Sequence, residues 1–219
     1  MWLKVLLVVH IAVLGYWLGA ELVINSTYRY VARSAGMPFA ERGRLMQHVM
    51  HADQHVRYAL VLQAGLGFAL AAAYGYVPGA PGTTWLALGL CALWLGFVEL
   101  VHRLRHHAAG ARLAWLDRAS RYLFMALLLA LAAGLAGGDW PMPGWLRIKL
   151  ALFAAVMACG VGIRLALVRH FRIWADMAGG GGDEGNAAIR RISRQATAIL
   201  AVLWACIAAI AVLAVWKPA

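Results

Sequence analysis

Four ionisable residues of this chain lie within long apolar runs: His10, Glu21, Glu99 and Lys149. An ionisable group in hydrocarbon is costly, so each one marks a functional site by default. Trp17 and Glu21 follow His10 by seven and eleven residues. At about 100° per residue, all three share one helical face. A face of His, Trp and Glu avoids lipid and is expected to point into a helix bundle. Neutral imidazole at His10 can serve as an axial haem ligand or a proton-transfer group. The plainer reading is a histidine hydrogen-bonded between helices.

A second constellation falls at one end of the same apolar runs. His48, His51 and His55 are spaced i, i+3, i+7, and Glu99, His102 and His106 repeat that spacing, with His107 adjacent. Each set forms one helical stripe, and Glu21 ends its run at the same depth. Glu-x-x-His and His-x-x-x-His spacings let two ligands reach one metal. Glu21, His51, His55, Glu99, His102 and His106 are therefore the expected metal set, of a chemistry that suits iron, zinc or copper. Two such stripes could also clamp a haem. The alternative is an interfacial surface, where histidines and arginines meet lipid phosphates. Arg147 and Lys149 open a later apolar run. They either snorkel to headgroups or contact an anion such as a propionate.

The elements that must position these residues are membrane helices. The chain has 219 residues, of which 63% are hydrophobic and 13% charged, and its mean hydropathy is +0.72. A soluble domain is typically about 45–50% apolar and about 25% charged. That balance excludes disorder, a basic nucleic-acid-binding domain and most soluble enzyme folds. A span needs roughly 20 mainly apolar residues. Six segments qualify: Trp2–Ile24, Val56–Tyr76, Thr84–His102, Tyr122–Gly137, Trp145–Val168 and Thr197–Trp216. The fourth is short, tilted or partly interfacial. The expected fold is all-α, a single polytopic bundle. The first segment, with Lys4 and the small residues Gly19 and Ala20, has some features of a signal peptide, but His10, Trp17 and Glu21 favour a membrane helix.

The net charge of +11 follows topology rather than a polyanion partner. Connections 25–57, 103–121 and 164–194 carry five, five and six arginines, whereas Val77–Thr83 and Gly138–Gly144 carry no Lys or Arg. The positive-inside rule places the basic connections in the cytoplasm and both termini outside. Trp2, Trp85, Trp140, Trp145 and Trp216 form an aromatic belt at the outer face. The expected location is a bacterial inner (plasma) membrane. Cys91, Cys159 and Cys206 are isolated in apolar runs and imply neither a disulfide framework nor a thiolate metal site. The glycine run 179–182 reads as a flexible link.

Several landmarks share an order with one family. They are His10-Ile-Ala-Val-Leu-Gly-Tyr-Trp17-Leu-Gly, Glu41-Arg-Gly-Arg-Leu-Met-Gln-His-Val-Met50, Trp145-Leu-Arg-Ile-Lys149-Leu and Val215-Trp216-Lys217-Pro218. This order resembles that of HemJ-type protoporphyrinogen oxidases, and parts of it are similar to copper-resistance D membrane proteins. The resemblance implies a four-helix core over 1–77 and 145–219, with a helix pair inserted at about 83–138. It implies haem b at His10, with Trp17, Arg147 and Lys149 in the cofactor site. His10 and Lys149 would be the catalytic residues, in redox work coupled to quinone, porphyrin or a respiratory partner. The chain departs from that family at Arg191-Ile192-Ser193-Arg194-Gln195 and at Ala158-Cys159-Gly160. The leading expectation is a haem-binding membrane oxidoreductase. A non-haem iron or copper oxidoreductase using the His/Glu cluster is the second. A copper-handling protein or respiratory-complex subunit, homo-oligomeric or held by partner subunits, is the third.

Overall fold

The structure, a computed structural model, describes residues 1–105, 107–108, 110–177 and 182–217. Among the described residues the chain forms six α-helices and no strand. They are α1 (Trp2–Arg33), α2 (Phe39–Ala73), α3 (Gly82–Arg103), α4 (Gly110–Ala132), α5 (Gly144–Met177) and α6 (Asp183–Trp216). All except α4 are long and apolar enough to cross a membrane. The first half of α4 carries Arg112, Asp117, Arg118 and Arg121, which lowers its hydropathy. The fold is an all-α bundle with membrane character, as its composition requires.

Each helix packs on its neighbours in sequence, and α6 returns to α1, so the six form a closed ring. Short connections make successive helices antiparallel. Two turns depend on glycine. Gly75, just past α2, has φ +82°, and Gly134, just past α4, has φ +75°; both are left-handed positions that a side chain disfavours. The fourth apolar segment was expected to run to Gly137, but α4 ends at Ala132 and the chain turns at Gly134.

The ring has two kinds of helix. α1, α2, α5 and α6 have 32, 35, 34 and 34 residues, or about 48–53 Å each. α3 and α4 have 22 and 23, about the ~30 Å of a bilayer core. The four long helices overshoot their apolar segments at the arginine-rich end, called the basic end below. There they bury a core of their own that includes Ile24, Tyr28, Val31, Met46, Val49, Leu167 and Ile192. Elsewhere the ring turns large apolar side chains outward, such as Leu93 at 72% exposure and Leu123 at 73%. A contiguous apolar exterior of this kind is a lipid-facing surface.

Between membrane helices, association rests on close packing rather than on a hydrophobic driving force. Gly65 of α2 shows this. A Cβ there would sit 2.4 Å from Cys91 Cβ of α3. The two backbones therefore meet only because residue 65 is glycine.

Candidate functional site

Two cavities open among the helices of the ring, one above the other. The first lies toward the end that carries the chain termini. It has a volume of about 110 Å³ and receives His10 from α1, Gln63 and Phe68 from α2, Phe124 from α4, and Lys149 and Phe153 from α5. His10 Nε2 lies 3.2 Å from the Gln63 amide nitrogen. Gly67, one turn beyond Gln63, gives the imidazole room: a Cβ there would stand 3.4 Å from His10 Cε1. His10 Nδ1 and Gln63 Oε1 are buried and find no hydrogen-bond partner among the described residues. A buried polar atom left unpaired is costly; His170 Nε2 and Asp117 Oδ1 are others in this bundle, but neither lines this cavity. Lys149 Nζ lies 5.6 Å from the centroid of the Trp145 ring, a cation–π distance.

The second cavity, about 90 Å³, lies toward the basic end and is lined by Trp17, Glu21, Asp53, Arg57, Arg121 and Arg164 among others. Glu21 is 6% exposed, and its Oε1 accepts from Trp17 Nε1 at 3.3 Å. Beside it, buried Asp117 of α4 accepts from Arg57 Nη2 at 2.7 Å and also from Arg121. Arg57 donates its other nitrogen to Gln54 at 2.9 Å. Arg164 and Asp53 approach to 3.5 Å. Three carboxylates thus stand among three guanidinium groups. Between the two cavities the Trp17 and Phe153 rings meet edge to face, with centroids 6.4 Å apart.

The shared helical face of His10, Trp17 and Glu21 points into the ring, but the three serve different cavities. His10 and Lys149 come together in the first, while Trp17 and Glu21 line the second. Arg147, two residues before Lys149, does not line either cavity. It donates Nη1 to the Leu131 carbonyl at 3.1 Å, which also accepts from the Gly134 N–H at 3.2 Å, at the C-terminal end of α4.

The expected metal set is divided. Glu21 faces the interior. His55 Nδ1 pairs with the Tyr16 hydroxyl on the outer surface of the ring. Glu99 accepts from the Tyr58 hydroxyl and from Arg103 Nε, the latter at 2.5 Å. His51 is exposed, with His102 across the α2–α3 seam within electrostatic reach. His106 lies outside the described residues. Among the described residues, no three His, Cys, Asp or Glu side chains gather closely enough to hold a metal.

Two groups were not anticipated from the sequence. One is the Arg57–Asp117–Arg121 cluster, whose only local signal is the i, i+4 spacing of Asp117 and Arg121. The other is His170 at the basic end. It is fully buried, meets the Tyr28 hydroxyl through Nδ1 at 3.2 Å, and stacks on Trp174 at 5.3 Å. Arg42 covers the same Trp174 ring at 5.0 Å and donates to Asn186 at 3.0 Å. The chain matches no protein-family model, no curated protein and no solved structure.

Proposed function

We propose that this is a membrane redox protein that holds a planar, lipid-soluble group in the His10 cavity, and that haem b is the group its side chains fit. The observation carrying this reading is the buried, unpartnered His10 Nδ1 in a cavity that also receives Lys149. The Gln63 amide can meet Nε2 with either end. With its oxygen turned inward it accepts the Nε2 proton, which fixes the tautomer and leaves the Nδ1 lone pair for a metal. The residues fit such a group in kind. One imidazole would supply the ligand, the Lys149 ammonium would neutralise a propionate, and Phe68, Phe124 and Phe153 give apolar walls. Among the described residues no second histidine lines the cavity, so His10 would be the one protein ligand. When bound, haem b supplies one-electron chemistry. The electron partner in this reading is a quinone or a neighbouring redox subunit.

The test is an optical spectrum of the detergent-purified protein, first oxidised and then reduced with dithionite. The expected result is a Soret band with sharp reduced α and β bands. That signal should be lost in His10→Ala and retained in His51→Ala and His102→Ala. A flat visible spectrum from folded protein would falsify the haem assignment. Quinone in the solvent extract of such a preparation would then reassign the cavity to a quinone head, with His10 and Lys149 as hydrogen-bond donors to its carbonyls.

A further inference from the structure

At the basic end a groove of about 330 Å³ runs between α1 and α6 on the outer surface of the ring. Arg29 and Arg33 rise from α1 at i, i+4, and Arg190 and Arg194 rise from α6 at the same spacing. Each pair therefore lines the groove as one stripe. None of the four has a carboxylate partner among the described residues, in contrast to Arg57, Arg103, Arg121 and Arg164. Four unneutralised guanidinium groups on facing helices repel one another unless an anion lies between them.

The floor of the groove narrows the choice of anion. One turn below the arginines, Thr197 Oγ1 donates to Asn25 Oδ1 at 2.9 Å and ties α6 to α1. Beyond that tie the α6 side continues with Ala198 and Ala201, whose small side chains leave a shallow trough. Val23 and Val202 stand on the lipid-facing surface at the same level, 48% and 55% exposed. The groove is thus cationic at the membrane surface and apolar where it enters the hydrocarbon.

From this geometry we infer that the α1–α6 groove is a binding site for an anionic phospholipid. Its phosphodiester headgroup lies among Arg29, Arg33, Arg190 and Arg194, and an acyl chain lies along the Ala198–Ala201 trough. Guanidinium groups suit this role because their planar donors match phosphate oxygens. A free phosphate would use the arginines but gain nothing from the trough. The inference is independent of any redox group in the His10 cavity.

The experiment is native mass spectrometry of the full chain in detergent, with phosphatidylglycerol and phosphatidylcholine of matched acyl chains added in equal amounts. The protein should retain phosphatidylglycerol at least tenfold over phosphatidylcholine. The double variant R33Q/R194Q should lose this preference, by roughly fivefold per arginine removed. R33K/R194K, which keeps the charge, should retain most of it. Circular dichroism of each variant checks that the helices persist. If a variant does not fold, the lipid ratio of the unaltered protein still decides the matter. Equal retention of the two lipids would overturn the inference, as would a preference that survives in folded R29Q/R33Q/R190Q/R194Q. Displacement of the lipid by millimolar inorganic phosphate would instead assign the arginines to a free anion.

Discussion

The two internal cavities are similar in size and opposite in electrostatic character. Around Glu21 most charges answer one another: Asp117 lies between Arg57 and Arg121, and Asp53 faces Arg164, while Asp117 Oδ1 and Gln54 Nε2 keep no partner among the described residues. Around His10 they do not. Lys149 shares that cavity with no carboxylate, and the imidazole keeps a buried nitrogen without a partner. A closed network stabilises a bundle and fixes its register. An open one leaves favourable energy to be gained by a ligand. The comparison teaches that the proposed site is set apart by a lysine without a carboxylate, not by the density of charge.

This difference can be broken or sharpened by substitution. The largest effect is expected at Asp117. Asp117→Ala strands Arg57 and Arg121 in a mostly buried position, and removing one partner of a buried network costs roughly 3–5 kcal/mol. Thermal unfolding in detergent measures it; an unchanged midpoint would show that the arginines reach water once the carboxylate is gone. Gly65→Ala comes next. The new methyl must push α3 from α2 at Cys91, and such overpacking costs about 1–3 kcal/mol. The same unfolding assay reads it, together with faster proteolysis of the α3–α4 connection.

Lys149→Met belongs to the open cavity and should behave differently. Its stability should stay within about 1 kcal/mol of the parent, because no buried ion pair is broken. Retention of the cavity's ligand should fall sharply, as judged by absorbance per protein after size-exclusion chromatography. A large loss of stability with ligand retained would reverse the roles assigned to the two cavities. The smallest effect is expected at Arg164→Gln. Its 3.5 Å pair with Asp53 joins side chains that are 55% and 24% exposed. Exposed pairs of this sort contribute about 0–1 kcal/mol, so the unfolding midpoint should barely move.

The sequence carried the bundle clearly and its site only partly. Apolar runs of span length gave the helices, because the bilayer sets their length. They did not give the ends of α1, α2, α5 and α6. Hydropathy stops at the membrane surface, while the helices continue as a water-exposed bundle held by Tyr28, Met46 and Ile192. His10 and Lys149 stood out because charge within an apolar run is conspicuous, and the structure brings them to one cavity. Asp117, Arg57 and Arg121 did not stand out, because each lies in a stretch already rich in arginine. There the topological role of the charges hides their pairing. The stripes His51–His55 and Glu99–His102 obey helical spacing, but spacing along one helix does not fix rotation about its axis. His55 turns to Tyr16, and Glu99 turns to Tyr58 and Arg103.

The overshoot of the long helices also bears on how the molecule can be imaged. α2 begins 17 residues before its apolar segment, which is about 25 Å of helix outside the hydrocarbon. With its three long neighbours it forms a helical post on one side of any detergent belt, and among the described residues the helix connections on the other side are turns. Small helical membrane proteins without such a post give nearly featureless particle images that resist alignment. Here the post is a built-in fiducial that breaks the up–down ambiguity of the micelle, even in a chain of 219 residues.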